Sequence, residues 1–183
     1  MSLTPASAIA SILASFNKRN VGDLRRINDE CIEEYAITEG QVYLELSILS
    51  YSFAKIVGKP RYWDSPKRMN YMKKMSSSIA ELSIELRSIP DDIAAKKIVS
   101  ILKSVEHLDQ SDQRYVRSLE AKARLKIASI LYAKGLSLSK AVEMTGADKR
   151  DLMEFSGATT MFDRASTGRK FTERLKDARK IFT

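Results

Sequence analysis

Apolar residues recur three or four positions apart along most of the chain, which is the spacing of amphipathic helices rather than of strands. Thr4 and Pro5 place a capping hydroxyl ahead of a proline, and they predict a helix that ends near Asn17. Asp23 is expected to cap a second helix that reaches about Ala36. Proline, glycine and acidic residues separate the later segments in the same way, so the sequence predicts an all-α protein.

The segment at residues 38–57 differs from the others because its apolar residues point in every direction around a helix. This pattern predicts a central helix that is buried on all sides. Glu45 lies within the segment, and a buried carboxylate requires a partner. The apolar residues are Tyr43, Leu44, Leu46, Ile48, Leu49, Tyr51, Phe53, Ile56 and Val57.

Two further helices follow the break at Gly58 and Pro60, one beginning at Ser65 and Pro66 and one at Pro90. The first has apolar steps of three and four, typical of a helix packed nearly antiparallel against a neighbour. Core packing explains its methionines better than a cofactor role. The inward residues are predicted to be Met72, Met75, Ile79, Leu82, Leu86, Ile98, Ile101, Leu102, Val105 and Leu108.

A long basic helix is predicted from about residue 112 to 134, with Gly135 ending it in a left-handed conformation. Of the net charge of +8, residues 1–118 contribute +2 and residues 119–183 contribute +6. A basic surface of this kind suits phosphate contacts, because each neutralised phosphate releases condensed counterions. Solvated surface is the alternative reading of such a charge excess.

Residues 136–155 have the small and apolar positions that a helix-turn-helix needs. Val142 and Gly146 would allow a close crossing and a sharp turn, while Leu152 and Phe155 would face inward from the second helix. The same spacing occurs in helical corners that only pack against their own protein. The sequence leaves both interpretations open.

The second short helix is the one expected to enter a DNA groove, with Lys149 and Arg150 in its first turn. Asp148 would cap this helix, and Asp148 and Asp151 both suit the positive end of its dipole. Glu154 counts against DNA binding unless it points away. Ser137 or Ser139 would cap the first short helix. The predicted DNA-binding residues are Ser137, Ser139, Lys140, Lys149, Arg150 and Met153.

Residues 126–155 resemble the helix-turn-helix of small prokaryotic, especially archaeal, antitoxin-like proteins. In that group a basic helix ends in glycine, and a Ser-x-x-x-Ala-x-x-x-x-Gly segment precedes a helix with a Leu/Phe pair. The resemblance implies binding to the protein's own promoter and a ribonuclease toxin of the PIN-domain type as partner. It assigns DNA reading to Lys149 and Arg150, and partner binding to the region after Gly157. The helical part of roughly 120 residues that precedes the motif departs from the family's pattern.

The tail at residues 158–183 contains an amphipathic basic helix by its spacing. Its apolar face either folds back on the bundle or occupies a groove on a second subunit or a partner. The predicted partner-binding residues are Phe171, Leu175, Ile181 and Phe182.

Enzymatic motifs are poorly represented. His107 is the single histidine and cannot build a multi-histidine metal site, and no phosphate-cradling glycine loop is present. Cys31 is the single cysteine, and we expect a small core residue in a reducing cytoplasm. No apolar run reaches the about 18 residues of a membrane span. A nuclease-like activity is a third alternative, and it would use the densest carboxylate cluster of the chain. That cluster is Glu33, Glu34, Glu39 and Glu45.

We therefore expect a helical bundle at residues 1–118, a helix-turn-helix region at 119–157 continuous with it, and a basic tail at 158–183. The predicted function is a cytoplasmic, DNA-binding transcriptional regulator that acts on double-stranded DNA, with a homodimer as one possible assembly. No metal, cofactor or catalytic residue is predicted. A helical adaptor that binds another protein is the alternative from a different class.

Overall fold

The computed structural model describes residues 3–64, 66–110 and 118–157, apart from the side chains of residues 61, 67 and 106–110. Every regular element in these ranges is helical, as the apolar spacing predicts. The elements are α1 (Pro5–Asn17), α2 (Val21–Thr38), α3 (Gln41–Val57), a short 3₁₀ turn (Pro60–Tyr62), α4 (Pro66–Glu85), α5 (Asp91–Gln110), α6 (Leu119–Ala133), α7 (Leu138–Thr145) and α8 (Lys149–Gly157).

The first two helices are fixed by side-chain caps. Thr4 accepts a hydrogen bond from the Ser7 amide at 3.2 Å, which confirms the predicted start of α1. The predicted cap of α2 is wrong, because Asn20 caps this helix by accepting from the amide of Asp23 at 3.1 Å. Asp23 instead lies in the first turn, where its negative charge interacts favourably with the positive end of the helix dipole.

Helix α3 is the central helix, and it packs against α1, α2, α5 and α6. Its burial on almost all sides confirms the interpretation of its apolar pattern, although it begins at Gln41 after a left-handed Glu39 with φ of 54°. The buried side chains are Val42, Leu44, Glu45, Leu46, Ser47, Ile48, Leu49, Ser50, Ser52, Phe53, Ala54, Ile56 and Val57.

Helices α4 and α5 bury the predicted stripes of apolar residues. The predicted seam of α4 is buried at each of its positions from Met72 to Leu82, and Leu86, directly after the helix ends, is buried as well. The stripe of α5 is buried from Ile98 to Val105, and Leu108 lies outside the described side chains. Among the described residues, no helix is long and apolar enough to cross a membrane.

The long basic helix begins later than predicted. Ser118 has an extended backbone and caps α6 by accepting from the Ala121 amide at 3.1 Å, so α6 starts at Leu119 rather than near residue 112. Residues 111–117 and the predicted partner-binding residues Phe171, Leu175, Ile181 and Phe182 lie outside the described ranges. Gly135 has φ of 104° and follows the end of α6, as expected.

Candidate nucleic-acid interface

Helices α7 and α8 are joined by a three-residue turn at 146–148 and contact each other, and together they are called the α7–α8 corner (residues 138–157). Ser137 rather than Ser139 caps α7, accepting from the Lys140 amide at 3.1 Å. Gly146 ends α7 with φ of +66°, a left-handed conformation that glycine adopts without a steric penalty. Asp148 then accepts from the Asp151 amide at 2.9 Å and caps α8, as the sequence predicts.

Small side chains and one leucine close the inside of the α7–α8 corner. Ala141, Thr145 and Leu152 are fully buried, and Ala147 is nearly so. The prediction that Phe155 faces inward is wrong, since 40% of its surface is exposed. The Phe155 ring instead lies at the surface, 5.9 Å from the Lys126 ammonium of α6.

Arg124 of α6 joins the α7–α8 corner to the bundle. Its Nη1 donates to the Thr145 carbonyl at 2.9 Å, where the last turn of α7 leaves carbonyls without helical partners. Its Nε donates to Glu120 Oε1 at 2.8 Å, and its Nη2 lies 3.4 Å from Glu45 Oε1. One guanidinium therefore connects α3, α6 and the end of α7.

Glu45 is the carboxylate that required a partner, and Arg124 together with Gln41 provides it. Gln41 Nε2 donates to Glu45 Oε1 at 2.8 Å. Burial raises the pKa of Glu45, while the nearby charge of Arg124 and the Gln41 hydrogen bond oppose that rise. Glu45 Oε2 is buried without a hydrogen-bond partner, so the carboxylate is only partly compensated.

Tyr35 of α2 supplies a second polar attachment. Its hydroxyl donates to the Met144 carbonyl, across 109 positions of sequence. Burial raises the pKa of Tyr35 to about 12, so the hydroxyl remains a donor at neutral pH. Sequence reasoning missed Tyr35, since a tyrosine on an amphipathic helix gives no sign of a distant carbonyl. It also missed the role of Arg124, for which the isolated Glu45 was the one available signal.

The outer side of α8 carries the predicted contact residues. Lys149 and Arg150 are exposed, and neither makes an ion pair within the described part of the chain. Met153 has 55% of its surface exposed. Glu154 is exposed as well, and it follows Arg150 by four positions, so the two share one face of the helix. The carboxylate thus lies beside Arg150 rather than on the opposite side of α8.

The other predicted contact residues are more constrained. Lys140 Nζ lies 3.4 Å from Glu39 and 3.7 Å from Glu143, so a phosphate would have to compete with two carboxylates for it. Ser137 and Ser139 are exposed beside Lys140, with the Ser137 oxygen already accepting the cap hydrogen bond. The structure thus leaves Lys149 and Arg150 as the freest cations of the predicted set.

The metal-ligating and thiol side chains considered in the sequence analysis do not form a site in the described part of the chain. Within the described ranges, no group of three or more histidine, cysteine, aspartate or glutamate side chains could hold a metal ion. Cys31 is buried as expected, and burial raises the pKa of its thiol. Comparison with protein-family models, curated proteins and solved structures finds no match to the chain.

Proposed function

We propose that the protein is a DNA-binding transcriptional regulator, antitoxin-like and autoregulatory, which uses the α7–α8 corner as a helix-turn-helix. The observation that carries this proposal is the exposure of Lys149 and Arg150 in the first turn of α8, without ion-pair partners in the described residues. In helix-turn-helix proteins, residues at this end of the second helix contact base edges in the major groove.

The roles of the two cations follow from their chemistry. Arg150 is suited to bidentate contact with guanine O6 and N7, because its guanidinium presents two parallel donors. Lys149 is suited to a backbone phosphate as a compact point charge. The Asp148 cap satisfies an amide of α8 and keeps its first turn in place. The proposal involves no catalytic step and places the protein in the cytoplasm, with double-stranded DNA as its ligand.

The polar attachment of the α7–α8 corner supports this proposal through its effect on orientation. Base reading requires a recognition helix held in fixed geometry by its scaffold. Arg124 and Tyr35 bind consecutive carbonyls, Thr145 and Met144, at the end of α7 immediately before the turn. The orientation of α8 is thereby tied to α2, α3 and α6.

A gel-shift titration with the duplex immediately upstream of the protein's own gene tests the proposal. With about four phosphate contacts, affinity should fall roughly 100-fold between about 50 and 200 mM salt. Arg150→Ala should weaken binding to that duplex by about 1–3 kcal/mol and leave binding to a shuffled duplex nearly unchanged. Lys140→Ala should lower the salt slope by less than about one, given its two carboxylate neighbours. Equal loss on both duplexes would reject base reading by Arg150.

A helical adaptor that binds another protein is the second candidate function. The observation that favours it is the combination of exposed Met153 and Phe155 on α8 with two exposed carboxylates, Glu154 on the same helix and Asp148 at its cap. A ribonuclease toxin is the partner that the resemblance implies. Retention of the toxin without any duplex binding at about 50 mM salt would favour the adaptor over the regulator.

A further inference from the structure

A cleft of about 480 Å³ lies between the end of α1 and the N-terminal half of α4, and it shares no wall residue with the α7–α8 corner. Its volume falls within the range of about 300–1,000 Å³ that small-molecule sites occupy. The wall includes Phe16, Arg19, Trp63, Met69, Met72 and Lys73.

One side of the cleft is aromatic and thioether surface. Phe16 and Met72 are each 2% exposed, and the Phe16 ring centroid lies 6.1 Å from that of the half-buried Trp63. Met69 is 41% exposed at the same cleft. Flat aromatic faces and adaptable methionine side chains suit a planar apolar molecule.

The other side of the cleft is cationic. The Arg19 guanidinium lies 3.9 Å over the Trp63 ring, and the Arg19 backbone has φ of 54°, a left-handed conformation unusual for a residue with a side chain. Its amide donates to the Phe16 carbonyl at 3.0 Å, which holds the chain in that turn. A stacked guanidinium keeps its edge N–H groups available to an anion. Lys73 is an exposed second cation on the wall.

These cations are not neutralised by the protein residues that the structure describes. Neither Arg19 nor Lys73 makes an ion pair there, and no aspartate or glutamate belongs to the cleft wall. The indole N–H of Trp63 is shielded from solvent and has no acceptor among the described residues. The cleft wall therefore carries two unpaired cations and no carboxylate. Its neutral polar side chains are Asn17, Ser76 and Ser77, and Ser76 already donates to Asn17 Oδ1 at 2.8 Å.

A second cleft, of about 410 Å³ between α4 and α5, has a different charge pattern from the cleft between α1 and α4. Its wall carries two lysines, Lys74 and Lys97, but also two carboxylates, Glu81 and Glu85, and Lys97 forms an ion pair with Glu85. The carboxylates balance the lysines, so that cleft has no excess of positive charge to attract an anion. The charge pattern, rather than cleft volume, distinguishes the cleft between α1 and α4.

We propose that the cleft between α1 and α4 binds a small anion with a planar apolar body, of the aromatic monocarboxylate class. The carboxylate contacts Arg19 and Lys73, and the ring packs against Trp63, Met69 and Met72. Recognition needs both halves of the ligand, so a neutral aromatic amide and a simple inorganic anion both bind less tightly.

Trp63 is the chain's single tryptophan, so its fluorescence reports directly on this cleft. Titration of the full chain with benzoate should give a saturable change in Trp63 emission, with benzamide and sulfate at least about tenfold weaker. Lys73→Gln preserves the stacking of Arg19 on Trp63 and should weaken benzoate binding about tenfold. Arg19→Gln should weaken it at least as much. Lys18→Gln removes an adjacent exposed cation that is not part of the wall, and it should change affinity less than about twofold.

Circular dichroism verifies that each variant is folded before the affinities are compared. A folded wild-type chain that gives no saturable response to benzoate overturns the proposal. So does equal affinity for benzoate and benzamide, or unchanged affinity in both Lys73→Gln and Arg19→Gln. None of these readouts involves DNA, so this result and that of the duplex-binding experiment are independent.

Discussion

Helix α3 and the α7–α8 corner are held in place by different kinds of contact. Helix α3 packs against four other helices and buries apolar side chains around nearly its whole circumference. The α7–α8 corner buries few side chains, and a guanidinium and a phenol hydroxyl bind the end of α7. Burial is non-directional and secures the position of α3, whereas hydrogen bonds specify the orientation of the corner.

The largest expected effect comes from the apolar region. Phe53 is fully buried on α3, with its ring centroid 4.7 Å from that of Phe16. Phe53→Ala should lower the free energy of unfolding by about 3–5 kcal/mol in urea titrations, because it removes buried surface and leaves a cavity. Lys55→Ala, at an exposed position of the same helix, should change it by less than about 0.5 kcal/mol. A similar cost for both variants would contradict the central position of α3.

Arg124→Ala should have the next largest effect and lower the free energy of unfolding by about 2–3 kcal/mol, because it leaves the Glu45 carboxylate buried without its cation. We place the value below that of a fully buried pair because the Arg124 side chain is 21% exposed. An Arg124→Ala/Glu45→Gln double variant should recover the part of the loss that comes from the buried charge, while the hydrogen bond of Arg124 to the Thr145 carbonyl remains lost. Equal losses in the single and double variants would mean that the Glu45 charge is not the cause.

The difference in free energy of unfolding between Arg124→Ala and the wild-type chain should also become smaller as the pH falls from about 7 to 5. Burial already raises the pKa of Glu45, and removal of Arg124, which opposes that rise, raises it further. The folded state then binds a proton more readily than the unfolded state, so stability increases as the pH falls through the window between the two pKa values. Urea titrations at several pH values measure this change, and a deficit that is constant with pH would contradict it.

Much of the fold could be predicted because the deciding information is local. The seam of α4 follows from the spacing of Met72, Met75 and Ile79, and the ends of α7 follow from Ser137 and Gly146. The contact between Tyr35 and Met144 could not be predicted, because nothing near either residue in sequence specifies the other. The prediction that Phe155 faces inward is wrong, because the spacing that pairs it with the buried Leu152 does not specify how far burial by neighbouring helices extends along α8.

In the candidate site, too, the features set by nearby residues could be predicted and those set by distant contacts could not. The helix ends that place Lys149 and Arg150 are encoded by nearby caps, and they were predicted. The ion pairs of Lys140 with Glu39 and Glu143 depend on how α2 approaches α7, which the sequence pattern does not contain. DNA binding itself stays a prediction.

Tyr35→Phe tests the polar attachment on a smaller scale. Loss of one hydrogen bond should cost about 1 kcal/mol and should increase amide hydrogen exchange in the α7–α8 corner. Tyr43→Phe is the matched control, since its hydroxyl donates to Leu3 at 2.8 Å in another part of the bundle. Faster exchange in the α7–α8 corner of both variants would show that the effect is global.

Glu154→Gln should produce the smallest change and one of opposite sign. Removal of a carboxylate four positions from Arg150 should strengthen duplex binding by about 0.5–1 kcal/mol at low salt. Glu143→Gln is not a suitable control because Glu143 pairs with Lys140, whereas Glu81→Gln removes the same charge from α4. Binding that weakens in Glu154→Gln would place Glu154 in a protein interface and favour the adaptor.

The most direct test of the central claim, that the outer face of α8 binds DNA, is a salt titration of duplex binding by fluorescence anisotropy. The Lys149→Gln/Arg150→Gln variant should lose about one unit of the slope of log K against log salt, because Lys149 is the phosphate contact of the pair and Arg150 reads a base. The control Lys96→Gln/Lys103→Gln removes the same charge from exposed positions of α5 and should keep the wild-type slope. Equal slopes for the two double variants would contradict the account.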